Sequence, residues 1–454
     1  MKTCKLLLTI TLTATLAHAV PAQSKKGADA QAPKAAAEKT GETPAAFDRK
    51  RFDELRKEGF DALYNLDYEG ARRHFTVMTR EFPNHPAGYQ FLAAGLWLRT
   101  LNESRRLQAS LYNTEGFYKE DKNDKTEVNS AAEFKELTRK TKELCENRLA
   151  RNPKDVDALY YLGASEGLKA AWGSMVERSF MSALRNGNDS VDHHKDLLKI
   201  DPTFTDAKVT VGMYDYVVGA LPLPVKILAS IGGFRGSKKR GLATLEQVAR
   251  EGVWAKDDAK SLLIALLKRE SRFRDAFTYA NELATKYPRN YLFKMEAADA
   301  LVSQAEVERA SNPEAAKKTE SEAFAVFDAL LAPQRGPNAP RPPLDLVHYN
   351  YGEALLVAGQ PEHASKELLA AAAAPNAEGS LVTRARLRAA QALDVAGKRE
   401  EALTQYKAVL ALPDVFDSHE DAKRGIKEPY KLTHKVGENA GDEAASESKD
   451  ERAQ

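Results

Sequence analysis

The chain has 454 residues, with 67 Lys and Arg against 65 Asp and Glu for a formal net charge of +2, so no global field draws it to nucleic acid and no nucleic-acid partner is expected. Length alone would allow two or three domains, but repeat architectures escape that count because each unit packs only on its neighbours. Cys4 and Cys145 are the only cysteines, which excludes a disulfide-stapled scaffold.

Met1, Lys2 and Lys5 form a positive start, Leu6 to Leu16 a short apolar stretch, and Ala17-His18-Ala19 a small-x-small cleavage site. The pattern predicts an export signal over 1–19, with Val20-Pro21-Ala22 as a second cleavage choice, and hence a periplasmic or secreted protein. Cys4 precedes the apolar stretch, where a lipid-attachment cysteine would have to follow it. Residues 23–47 are rich in Ala, Lys, Gly, Pro and Glu, with Phe47 at their end as the one large apolar side chain, so a flexible linker is expected.

Order is expected from Phe52. Gly59, Ala71, Phe75 and Pro83 fall at intervals of 12, 4 and 8, and these resemble the small and aromatic positions of a tetratricopeptide repeat: glycine lets two helices approach, alanine sits at their crossing, and proline ends the second helix. The offsets return at Ala158, Leu159, Leu162 and Gly163 after Pro153, at Val211-Gly212 after Pro202, and at Phe273, Ala276 and Pro288. Tyr351-Gly352, Gly359 and Ala364 repeat them, as do Gly397, Ala402 and Tyr406. The fold predicted is therefore all-α, a solenoid of about eight helical hairpins over 50–412. The helices pair as 50–64 with 67–82, 86–101 with 130–150, 155–172 with 175–200, and 204–220 with 238–252. The pairing continues as 256–268 with 272–287, 290–309 with 313–332, 345–358 with 361–374, and 380–396 with 399–412. Gly163, at a helix crossing, is expected to tolerate alanine far better than leucine, and Cys145 to fill the core. Unequal repeat lengths, against a period of about 34, place insertions at 103–129, near 183–192 and at a central hairpin, 217–241. The proline-rich 333–343 reads as a stiff loop, and 415–454 as a polar, largely disordered tail.

That central stretch departs most from a generic repeat. Pro222 and Pro224 interrupt the helix, Val225 to Ile231 is apolar, and Arg235, Lys238, Lys239 and Arg240 follow Phe234. With Lys226 inside it and two prolines just before it, the run is too short to span a membrane, which takes roughly 20 apolar residues. It is read either as an insert packed between repeats or as a surface hairpin, with Ile227 and Phe234 apolar and the four cations at its rim, that meets a partner or a lipid surface. VGMYDYVVGALPLPVKILASIGGFRGSKKRGLATLEQV resembles the inclusion-body clearance protein family, whose animal branch is called tetratricopeptide repeat protein 39. The family's glycines, leucine-proline break and glycine-phenylalanine match Gly212, Leu221-Pro222, Ile227-Leu228, Gly233-Phe234, Gly236 and Gly241-Leu242. The tight match covers about 35 residues. Ser237 stands where the family carries an acidic residue, and the family is typically intracellular. The resemblance implies the repeat fold and the absence of a known catalytic site.

No phosphate loop, G-x-S-x-G elbow or HExxH occurs in the chain, so neither a catalytic residue nor a cofactor is expected. Asp121 to Lys125 imitates the start of a calcium loop, but Thr126 and Ala132 replace its glycine and glutamate. Adjacent on a helix, His193 and His194 point about 100° apart and read as a solvated face rather than a metal site. What is left is the concave side, lined by the first helix of each hairpin. Tyr160, Met213, Tyr216, Tyr349 and Glu353 are its candidate contacts for a protein or peptide partner; packing between repeats is the alternative reading of the same stripe.

Overall fold

The computed structural model describes residues 47–107, 128–221, 226–227, 230 and 235–432; the side chains of Val128, Phe180 and Met181 are outside it. The export signal, nearly all of the linker, most of the first insertion, Phe234 and the end of the tail thus lie outside the described residues.

Among the described residues there are 17 α-helices and no strand. They are α1 Arg49–Tyr64, α2 Tyr68–Glu81, α3 Ala87–Glu103, α4 Val128–Arg151, α5 Val156–Met175, α6 Phe180–Ile200, α7 Lys208–Gly219 and α8 Lys238–Glu251. There follow α9 Lys256–Arg269, α10 Phe273–Lys286, α11 Tyr291–Arg309, α12 Pro313–Leu331, α13 Leu344–Val357, α14 Pro361–Ala373, α15 Gly379–Val395, α16 Arg399–Val409 and α17 Ser418–Lys427. Local chemistry sets many of the starts: Asp48, Asp67, Asp155, Ser237, Asn290, Asn312 and Glu378 each accept from backbone N–H groups of the first turn, filling donors that a helix leaves unpaired.

Each helix packs on the next, so α1 to α16 form eight hairpins in the predicted pairing, and the fold is a tetratricopeptide-like helical solenoid. First helices also touch one another, α3 on α5, α11 on α13 and α13 on α15. They make the inner layer, and the second helices lie outside it. Buried apolar clusters run along the stack, one between α1–α3 and α5 around Phe52, Phe75 and Tyr161, another from α11 to α15 around Phe327, Leu355 and Leu368. Cys145, fully buried in the first of these, fills the core as expected.

Three details differ from the sequence reading. The residues near 183–192 form no loop, because the extra length is taken up inside α6, which is 21 residues long. The polar tail does not begin at 415: α17 follows, touching α15 as the first helix of a ninth hairpin would, with Ala422 fully buried. The stretch is too polar for its periodicity to stand out, and Ala422, Gly425 and Ile426 are the few residues that dock it. His194 is also no solvated residue; at 3 % exposure it fills the space left by Gly163.

The solenoid winds far enough to meet itself. The turn after α1 reaches the start of α11, where Asn290 Nδ2 donates to the Tyr64 carbonyl at 2.7 Å and the Arg289 N–H to Asn65 Oδ1 at 3.3 Å. The end of α3 meets α11 and α13, with Tyr291 donating to Asn102 Oδ1 at 2.9 Å and Arg105 paired with Asp345 at 3.2 Å. Arg178, after α5, lies over the Phe416 ring at 5.6 Å.

Candidate functional site

On the inner layer, the N-terminal half is bridged and the C-terminal half carries ordered charge. The bridge begins with Asp206, whose Oδ1 accepts from the backbone N–H groups of Val253, Trp254 and Ala255 at 3.0, 3.0 and 2.9 Å. A carboxylate satisfying three donors fixes the loop before α9. Trp254 is thereby held edge-on to Tyr160 of α5 and Phe204, with ring centroids 5.6 Å away in both cases. From α1, the guanidiniums of Arg56 and Arg49 lie 5.2 and 5.8 Å from the indole, within reach of its negative face.

Next to this bridge, the Tyr64 hydroxyl donates to the Asp258 carboxylate. Protein crowding, with Asp257 nearby, pushes the Asp258 carboxyl up to about 6 even though Asp258 is open to water along one side, while the Tyr64 hydrogen bond pulls it down. Asp257 accepts from Lys286 and from the Tyr287 hydroxyl, both at 2.6 Å.

Beyond α9 the first helices exchange charge across hairpins. Lys268 of α9 pairs with Glu296 at 2.6 Å and with Asp299, both on α11. Burial alone would lower the Lys268 pKa, but the two carboxylates outweigh it and the pKa is raised. Glu353 of α13 takes a two-pronged contact from Arg388 of α15 at 2.6 and 2.9 Å, and Arg388 also donates to Gln391 at 2.6 Å. These side chains keep part of their surface in water: Asp299 is 45 % exposed, Glu353 29 % and Arg388 24 %.

The sequence-derived contacts divide between core and surface. Tyr160 is half-buried, stacked on His194 at 5.5 Å. Met213 is half-buried against the α7–α9 cluster. Tyr216, 1 % exposed, is a core residue whose hydroxyl donates to Glu270 at 2.7 Å. Tyr349 is buried too, under the Arg384 guanidinium at 4.8 Å, and it lies one helical turn before Glu353. At the central hairpin, Ile227 is 53 % exposed and Arg235 and Lys239 are exposed. Lys238 pairs with Glu270 at 3.0 Å, and Arg240 holds Asp215 through contacts of 2.5 and 2.7 Å. Two of the four predicted rim cations therefore brace hairpins. Gly212 and Gly241 meet where α7 crosses α8; a Cβ at Gly241 would stand 2.6 Å from the Gly212 carbonyl, so this part of the family-like pattern secures a close helix crossing.

The sequence reading missed Arg56, Tyr64, Trp254, Asp258, Lys268 and Arg388. An isolated tryptophan in a short loop after Gly252 is the one signal that pointed inward; the charged residues look like any solvated face until the hairpins are stacked. Among the described residues no group of three or more His, Cys, Asp or Glu is arranged to hold a metal ion, and no helix is long and apolar enough to cross a membrane.

No protein-family model and no curated protein matches the chain. Solved structures do. A human IFIT1 dimer with PPP-AAAA aligns at 11 % identity over 85 % of this chain and 86 % of its own, with a TM-score of 0.43. Yeast Tom70 aligns at 13 % identity over 83 % and 95 %, TM-score 0.34. A tetratricopeptide repeat protein from Parabacteroides merdae aligns at 12 % over 74 % and 99 %, TM-score 0.30.

Proposed function

We propose that the chain is a non-catalytic scaffold that receives a protein segment along the inner layer of its C-terminal hairpins. One observation carries this reading: Lys268, Glu296, Asp299, Glu353 and Arg388 form a row of charges, several of them half-exposed, held in place by cross-hairpin pairing. Side chains ordered before binding lose little further entropy when a polar peptide adds to them. The N-terminal signal pattern supports export of this scaffold, and the match at the central stretch supports kinship with the inclusion-body clearance family.

Benzoylphenylalanine at Asp299, tested in the full chain, should yield a partner adduct that Arg388→Ala weakens. The same probe at exposed Leu184 of α6, a second helix, serves as the reference. Equal labelling from both positions would remove the inner-layer reading. Export is tested by N-terminal sequencing, with Val20 or Gln23 expected as the first residue.

A second reading, contact of the central hairpin with an anionic membrane surface, is favoured by the exposure of Val217, Ile227, Arg235 and Lys239 within one stretch of chain. Flotation with anionic vesicles at low salt separates the two. Wild-type protein that stays at the bottom of the gradient removes the membrane reading.

A further inference from the structure

We infer that three of the places where the solenoid meets itself form a releasable clasp, closing one superhelical turn that opens as a spring while every hairpin stays folded. The joints come from successive hairpins. Asn65 reaches Arg289, Arg105 reaches Asp345 and Arg178 reaches Phe416, so each early hairpin rests on a later one at a similar remove along the chain. Each joint includes a turn of the earlier hairpin, and each of those turns carries a non-glycine residue in the left-handed region: Leu66 at φ 61°, Arg105 at φ 56° and Arg178 at φ 57°, with Phe416 opposite at φ 50°. Such backbone closes each turn on its own helix, with the Asp67 N–H on the Ala62 carbonyl, the Arg106 N–H on Leu101 and the Ser179 N–H on Gly173, and so fixes how the turn is presented to the later hairpin.

The chemistry of the joints differs from that of the stack. Neighbouring hairpins share continuous apolar cores. The joints share chiefly hydrogen bonds and ring contacts: Tyr64 to Asp258, Tyr64 stacked on Tyr287 at 4.9 Å, Asn290 to the Tyr64 carbonyl, Tyr291 to Asn102, and Arg105 to Asp345. Their apolar share is modest, with Leu66 and Leu107 half-buried against the α11–α15 cluster. Apart from the buried Arg105–Asp345 pair, polar groups parted here exchange their partners for water at small net cost, whereas parting two hairpins would expose a core. The clasp is therefore the interface that yields first, and with it the separation between the early and late hairpins changes. The inference rests on the joints and not on what the inner layer binds.

The test compares the full chain with the quadruple variant Tyr64→Phe, Asn290→Asp, Arg105→Gln, Arg178→Gln, in which the introduced carboxylate keeps the acceptor that caps α11, by small-angle X-ray scattering, with circular dichroism on the same samples. The expected result is a radius of gyration larger by on the order of one tenth, as a domain-scale opening produces, at unchanged helicity. An unchanged radius overturns the clasp. Loss of helicity in the variant also overturns it, because the joints would then belong to the folding core.

Discussion

Gly163 and His194 show how much one residue pair decides. A Cβ on Gly163 would lie 2.5 Å from His194 Nε2, so even alanine crowds this site; the glycine makes room for an imidazole. Nε2–H donates to the Tyr160 carbonyl at 3.0 Å, which leaves Nδ1 to accept from the Thr210 hydroxyl. Gly163→Ala should cost about 1–3 kcal/mol, as overpacking does, read as a shift in the urea midpoint; a midpoint equal to wild type would exclude this packing. Burial holds His194 neutral, its pKa lowered from 6.5 to about 4. The unfolded chain takes up the proton first, so this contribution is full above pH 6.5 and is lost as pH falls toward 4, about 3 kcal/mol in all. Asp258, with its pKa raised, acts in the opposite sense and loses stability as pH rises through about 6. Comparing wild type with His194→Gln isolates the histidine: the variant's stability should fall less between about pH 6.5 and 4.

At the scale of elements, two short segments do more than their sequence suggests. Asp206 belongs to a three-residue 3-10 turn before α7, yet it caps the loop that opens α9. Asp206→Ala leaves three N–H groups without that acceptor and should cost about 1–3 kcal/mol, with Trp254 fluorescence shifting as the ring is released; an unshifted spectrum would show that the loop is held by other contacts. α17 closes the open end of the last hairpin, where Arg399 donates to the Ile426 carbonyl at 2.9 Å and the Tyr430 N–H to Asp394 at 2.8 Å. A chain ending at residue 412 should lose amide protection in α15 and α16, measured by hydrogen exchange, while α11 and α12 keep theirs. The ion pairs of Lys238 and Arg240 also change the design of a membrane test. Replacing both would loosen α8, so Arg235→Ser is the variant that probes surface charge.

For the molecule as a whole, the pair Arg105–Asp345 ties residues of the second and seventh hairpins, and its side chains are 14 % and 2 % exposed. Asp345 further accepts from the Glu378 N–H at 3.0 Å. Removing the guanidinium leaves a buried carboxylate with fewer partners, so Arg105→Met should destabilise by about 3 kcal/mol. Hydrogen exchange should rise at both ends of the contact, near residues 102–107 and 344–347. A rise confined to the second hairpin would mean that the coils are not coupled there.

Eight hairpins, their order and their pairing were legible in the residues because each depends on local facts: glycine and alanine where helices cross, aromatic residues four further on, proline or asparagine at the ends. The burial of Cys145 followed from the same periodicity. Charged stripes were not legible in this way, since Lys268 and Arg388 find their carboxylates on a neighbouring hairpin, and a side chain that pairs across a stack looks solvated in its own helix. The burial of Tyr216 and Tyr349, taken as candidate contacts, was equally hidden, because the same helical stripe serves packing and binding. The tertiary structure alone decided how far the solenoid winds. That depends on small rotations summed over eight hairpins, and only their sum brings Asn65 to Arg289 and Arg105 to Asp345.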